Sequence, residues 1–188
     1  MLDMTMLDPN LLDRKTTIIR PATGKELPDL SVIIAKAFET YRGAIPDRAL
    51  FEYIALSADL EQHKGRGDIM VLESAGKIVG SVVYYPKAGD EGLGLPAGWA
   101  GIRTLAVHPS ARGRGFGRSL IEYCIDRARR EGHGTIGLHT AEFMKHAVAL
   151  YRALSFGRCP QYDLWASDIL NIDPAGGDIL VTAYKRTL

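Results

Sequence analysis

The stretch Arg112-Gly113-Arg114-Gly115-Phe116-Gly117 decides how this chain is read. An apolar run ends before it at Val107 and an amphipathic segment starts within it at Phe116, so the glycines occupy a strand-to-helix turn. Glycine lets the backbone approach a ligand closely and adopt turns that other residues resist, so successive N–H groups converge on one anion. The positive end of the following helix adds to that field. Local charge agrees: between Arg103 and Arg130 stand arginines 103, 112, 114, 118, 127, 129 and 130, against only Glu122 and Asp126. The whole chain carries a formal charge of just +1, which argues for one polyanionic ligand at the turn and against a general nucleic-acid or membrane-surface binder.

Spacing narrows the kind of loop. A dinucleotide fingerprint needs GxGxxG, whereas these glycines fall at 113, 115 and 117 and the acidic residue expected near position 135 is absent. A Walker loop needs GxxxxGK before Ser or Thr, and Gly117-Arg118-Ser119 lacks the lysine. RNA-binding RGG segments are usually disordered, while this one is wedged between a strand pattern and a helix pattern.

Outward from the turn, the chain reads as one α/β domain. With 188 residues, 46% hydrophobic and 24% charged, it can bury a core without disulfides or a metal. No apolar run reaches the roughly 18 residues of a membrane-spanning helix. Residues 1–15 lack the pattern of a signal peptide and read as a flexible leader before a domain over 16–188. Cys124 and Cys159 have no CxxC partner, so a reducing cytoplasm is expected.

Periodicity predicts a strand over 16–20, then a helix on which Leu27, Leu30, Ile34, Ala37 and Phe38 share a face, then a helix over 47–63. A hairpin follows, with strands over 68–73 and 77–85, and then a loop over 86–98 rich in glycine and proline, long enough to be functional. A strand over 99–107 precedes the turn, and a helix from Phe116 follows it. The remainder predicts a strand over 135–140, a helix over 143–154 and final strands over 161–165 and 179–185.

Arg112, Gly115 and Gly117 form Arg-x-x-Gly-x-Gly directly after Leu105-Ala106-Val107-His108-Pro109, and this resembles the acetyl-CoA loop of the GNAT acyltransferase superfamily. The run from Ala147 to Phe156 is similar to that family's A-x-x-LY-x-x-x-GF helix, with Ser155 in the glycine place, and Ile18-Ile19-Arg20-Pro21-Ala22 looks like a common opening. The resemblance implies a central mixed sheet of about seven strands, splayed in the middle, with helices on both faces. It implies acetyl-CoA as cosubstrate, without a metal, lying where the strands ending at Val107 and Thr140 part. Leu105, Ala106 and Val107 would meet the pantetheine arm. Arg112, Gly113, Arg114, Gly115, Phe116, Gly117, Arg118 and Ser119 would form the pyrophosphate site.

Tyr151 falls at the family's general-acid position. The base is open, because the strand position that often holds a glutamate reads Gly101; Glu142 acting through water is one candidate, His139 and His108 are others. Met144 stands where relatives have an asparagine and is expected to line the pocket or the core without a catalytic role. The activity implied is N-acetylation of a primary amine on a small molecule or peptide, with no nucleic-acid or membrane partner and a homodimer possible through the terminal strands. The alternative is a non-catalytic acyl-CoA binding or sensing module, for which Gly101 is the best support.

Overall fold

Local chemistry sets the elements of the computed structural model, which describes residues 17–176 and 178–188; the leader expected over 1–15 lies outside the described residues. The β-branched run at the start forms β1 (Thr17–Pro21). Helix α1 (Leu27–Glu39) follows, with Pro28 in its first turn, where a missing N–H costs nothing. Then come α2 (Asp47–Ala58), β2 (Asp68–Ser74), β3 (Lys77–Tyr85) and β4 (Ala100–Val107). The second half adds α3 (Phe116–Arg130), β5 (Thr135–Ala141), α4 (Lys145–Ala153), β6 (Gly157–Arg158), β7 (Leu164–Trp165) and β8 (Leu180–Thr187).

Several boundaries differ from the sequence expectation. The helix expected through His63 stops at Ala58, and Leu60–His63 form a separate 3-10 turn. Gln62 donates its amide to the carbonyls of Leu56 and Asp59, satisfying carbonyls that a continuing helix would have used. The strand expected over 161–165 shrinks to β7, because Pro160–Tyr162 turn as a 3-10 segment, and β6 is an additional pairing. Ser155 adopts a left-handed φ of 62°, the conformation for which glycine is the ordinary choice.

The strands form one mixed sheet in the order β1-β2-β3-β4-β5-β8-β6, with β7 also pairing β8. Both faces are covered, and strand alternation shows it. Met70, Leu72, Val82 and Tyr84 pack with α3, while Val71, Val83 and Tyr85 pack with α1. That is why β2 and β3 read as continuous apolar runs rather than alternating ones. Helix α3 turns Phe116, Leu120, Ile121, Cys124, Ile125 and Ala128 inward, all nearly fully buried. Each large side chain among them contributes about 1.5–3 kcal/mol over leaving it in water. The end of α3 is fastened to the sheet: the Tyr84 hydroxyl donates to Glu131 at 2.6 Å, and Arg127 stacks over the Tyr84 ring at 4.4 Å.

One joint in the sheet positions everything that follows. Strands β4 and β5 are parallel but paired only from Ala100↔Ile136 to Ile102↔Leu138, after which they splay. On its other edge β4 stays paired with β3, with a register shift opposite Ser81–Val83. Thr104 sits in that shift with φ 53°, a bulge that bends β4 away from β5. From Arg103 to Val107 the β5-facing edge of β4 is therefore without a strand partner among the described residues.

Candidate functional site

The glycine turn opens at the end of that splayed edge. Gly113 and Gly115 have φ of 80° and 82°, which side-chain-bearing residues rarely adopt, and Gly115 is the residue from which α3 springs. Among the described residues, no partner takes the backbone N–H groups of Gly113, Gly115, Phe116 and Gly117. A Cβ at Gly113 or Gly115 would meet no atom within 4 Å, so the space above the turn is open. Unpaired donors, an open space and a helix N-terminus together suit a phosphate or pyrophosphate group.

Side chains contribute less to this turn than the sequence suggests. Arg112 donates to Thr40 Oγ1 at 3.1 Å and to the Ala37 carbonyl at 2.8 Å, so its guanidinium ties the turn to the C-terminus of α1. Its own N–H is bonded to the Pro109 carbonyl. Ser119 directs both its N–H and its hydroxyl to the Gly115 carbonyl, at 3.0 and 3.3 Å. Arg118 lies along the helix surface beside Glu122 at 3.4 Å, and Arg114 stacks over the Phe116 ring at 4.8 Å. Of the strand residues, Leu105 lines a cavity in the splay, Ala106 is buried against α1, and Val107 is half-buried.

Two neighbouring cavities, one larger than the other, lie in the splay and share walls made by Tyr53, Arg103, Thr104, His139, Thr140 and Met144. The smaller one also reaches Leu105, Ala147 and Tyr151, next to the free edge of β4. Burial pushes the pKa of the Tyr151 phenol up, with Tyr53 and Tyr41 adding to it, so the phenol holds its proton throughout the neutral range. Burial likewise pushes Tyr53 up to about 12. Met144 is 7% exposed, accepts a long contact from Thr140 Oγ1 at its sulfur and lines both cavities.

The larger cavity extends under the 86–98 loop and holds a buried carboxylate that the sequence reading missed. Glu91, in the 3-10 turn Ala88–Glu91, has a side chain 0% exposed. Its Oε1 lies 3.0 Å from His139 Nδ1, and His139 Nε2 lies 2.8 Å from the Tyr162 carbonyl. Arg103 donates to the Glu91 carbonyl at 3.0 Å, holding the loop on β4. Glu91 Oε2 is buried without a hydrogen-bond partner among the described residues.

The candidates for the base are thereby sorted by position. Glu142 is exposed on the turn after β5, is absent from the walls of both cavities and exerts its charge on Arg158, so the structure does not bring it to the cleft. His108 is engaged in the turn after β4, accepting from Ser110 N–H and bonded to the Ser110 hydroxyl. His139 is in the cleft, with both ring nitrogens occupied. The only signal for Glu91 in the sequence was the length of its loop. Among the described residues no group of three or more His, Cys, Asp or Glu is arranged to hold a metal, and no helix is long and apolar enough to cross a membrane.

Comparison with known proteins places this geometry. The model of the acetyltransferase (GNAT) family matches residues 30–156. The chain is 27% identical over 103 residues to an IAA acetyltransferase of Azospirillum brasilense, covering 55% of this chain and 63% of that protein. It is 31% identical over 104 residues to the mycothiol acetyltransferase of Thermobifida fusca, covering 54% of this chain and 30% of that one. The matches thus span less than two thirds of the length of these relatives. The structure of YncA from Salmonella typhimurium with its cofactor acetyl-CoA superposes with a TM-score of 0.61 at 20% identity, over 92% of this chain and 94% of that one. At that identity the likeness is one of fold.

Proposed function

The chain belongs to the acetyltransferase (GNAT) family, and from that premise we propose that it transfers an acetyl group from acetyl-CoA to a primary amine of a small molecule or peptide, by direct attack on the thioester. One observation carries this reading: the unpaired N–H groups of the glycine turn open onto the same splay whose cavities contain Tyr151. In this reading the catalytic domain runs over 16–188, preceded by a leader over 1–15. Two buried, unpaired cysteines favour a reducing cytoplasm, and a homodimer through the terminal strands belongs to the same reading.

The residues present fit the cosubstrate. The pyrophosphate sits on the N–H groups of Gly113, Gly115, Phe116 and Gly117, where the start of α3 adds its partial positive charge. The pantetheine amides lie along the unpaired edge of β4 at Leu105–Val107, as an added strand would. Arg112 contributes by bracing the turn against α1, and Arg114 and Arg118 contribute long-range positive charge.

Chemistry then follows from position. The amine lone pair attacks the carbonyl carbon, a C–N bond forms, and the C–S bond breaks with its electron pair on sulfur. Tyr151 donates its phenolic proton to that sulfur, a role its burial supports by keeping the phenol protonated. Alignment of the two reactants supplies much of the rate, and a positioned acid adds about 10²–10⁴-fold.

The test is release of CoA thiol from acetyl-CoA across a panel of primary amines. Amine-dependent release is expected. Tight acetyl-CoA binding with no release for any amine would instead favour a sensing module, the reading that a missing base at Gly101 had suggested.

A further inference from the structure

The carboxylate of the β3–β4 loop is shut off from the space beside it. A Cβ on Gly101 would stand 3.1 Å from Ala88 Cα and 3.3 Å from Glu91 Oε2, so the loop lies directly on bare strand at this point. Oε2 is buried there, and Oε1 lies 3.0 Å from His139 Nδ1. The Tyr162 carbonyl can only accept, so His139 Nε2 carries a hydrogen, and a second proton lies between Nδ1 and Oε1. Whichever of the two holds that proton, Glu91 and His139 together carry no net charge.

Arg103 is then the uncompensated charge of the cleft. It stands on the wall that the two cavities share, and among the described residues Glu91 is the only acid lining either of them. That carboxylate is not its partner: the guanidinium meets Glu91 through the main-chain carbonyl, at 3.0 Å, and interacts with the Tyr85 hydroxyl. The buried side-chain polar atoms without a partner among the described residues are His63 Nε2, Ser81 Oγ and Glu91 Oε2. The remaining N–H groups of half-buried Arg103 are not among them, so they are open to the cavity space. A guanidinium with open donors suits a carboxylate, which its planar fork meets with two parallel hydrogen bonds.

The surroundings say what else that ligand carries. The larger cavity is largely apolar, with Leu56, Leu93, Phe143, Leu170 and Val181 facing the space, while the smaller one leads to Tyr151. A molecule with its carboxylate on Arg103 therefore has an apolar chamber on one side and the acid for the leaving thiol on the other. Three substituents of a single carbon fill those places: a carboxylate, an apolar side chain and an amine.

We propose that Arg103 binds a carboxylate of the acceptor, and that the acceptor is a free α-amino acid with an apolar side chain. This rests on the acetyl-transfer reading above. The ammonium group loses one proton, its lone pair forms the C–N bond as the C–S bond breaks, and the nitrogen loses a second proton as the amide forms. One of those protons balances the one that Tyr151 gives to sulfur, and the other is released to solvent. Arg103 sets specificity and takes no part in proton transfer.

The experiment measures thiol release from acetyl-CoA by wild type, Arg103→Gln and Arg103→Lys with phenylalanine, leucine, the carboxamides of both, and aspartate. In wild type, kcat/KM is expected to be about 10²-fold higher for each apolar amino acid than for its amide, the scale of a lost charge-assisted pair. Aspartate should be a poor acceptor. In Arg103→Gln the acid-to-amide ratio should collapse toward one, and Arg103→Lys, which keeps the charge and loses the fork, should lie between. An arginine that only ties the loop to β4 would lower acid and amide alike and leave the ratio unchanged. For a variant with little turnover, calorimetry of acid and amide with the CoA-loaded protein, in which no transfer can occur, reads the same ratio from binding. Wild type that treats acid and amide alike, or a ratio that survives in Arg103→Gln, overturns this inference and leaves acetyl transfer standing. Release confined to amines without a carboxylate does the same. No thiol release from wild type with any primary amine overturns both.

Discussion

The two ends of the cleft are built in opposite ways. At the α3 end, the unpaired groups among the described residues are the backbone N–H donors of Gly113, Gly115, Phe116 and Gly117, close together in sequence, and Arg112 points back to α1. At the β3–β4 loop end, the polar groups are side chains: Tyr53, Glu91, Arg103 and His139, carried by a helix, a loop and two strands. A backbone cradle recognises any pyrophosphate and tolerates change in the side chains around it, provided the turn conformation survives. A side-chain cavity recognises one shape and charge, and each of its members is separately replaceable. In the proposed reading, the constant half of the reaction falls to main chain and the variable half to side chains.

Replacement of Tyr151 by phenylalanine, at the junction of the two ends, should have the largest effect. It is expected to lower kcat by about 10²–10⁴-fold with acetyl-CoA affinity unchanged, read by steady-state thiol release and calorimetry. A variant with full turnover would remove Tyr151 from the acid role.

Beneath the loop end lies a buried histidine that should make this end the acid-sensitive one. His63 is 0% exposed, its Nδ1 is bonded to the Tyr85 hydroxyl, and its Nε2 has no partner among the described residues. Burial, with Arg103 and Arg66 adding, lowers its pKa to about 4 from 6.5. The unfolded chain takes up this proton between those two values while the folded chain does not. Stability should therefore be full above about pH 6.5, fall by up to about 3 kcal/mol as pH drops to about 4, and flatten below. Denaturant unfolding across that range should show the slope in wild type and a flatter line in His63→Gln; equal slopes would mean that other groups govern acid unfolding.

At the cradle end, Gly115→Val places a β-branched side chain at φ 82°. Strain of about 1–3 kcal/mol should distort the turn and lower CoA affinity by about 10- to 100-fold, with amine binding at the other end spared. The smallest effect belongs to Arg112→Ala. Loss of its bonds to Thr40 and Ala37 should cost about 1 kcal/mol of stability, measured as a shift in the unfolding midpoint, while CoA affinity stays within about threefold. A tenfold loss of affinity would show that the cradle depends on side chains after all.

How much of this was legible follows from the same contrast. The turn and α3 could be read because their signals are local: glycines at positive φ, and apolar residues recurring every three or four positions from Phe116 to Ala128. The order of helices and strands was readable for the same reason. Boundaries slipped where distant groups intervened, as when Gln62 ended α2 or Pro160 shortened β7. The loop end was not legible, because Glu91 and His139 are 48 positions apart and Glu91 and Arg103 are 12 apart. Glu142, by contrast, looked suitable from its place beside β5, yet proximity in sequence to a site strand does not say which way a side chain faces.

Sequence alone determined the family, the strand–turn–helix around the glycines and Tyr151 as a candidate, since each is written in short-range spacing that one turn of helix or one strand can express. Tertiary structure alone decided that Arg112 braces α1, that β4 and β5 part after Ile102, and that Gly101 is bare because a loop lays Glu91 against it. Those facts depend on which surfaces meet when distant elements bury their apolar faces together, and no local pattern encodes that meeting.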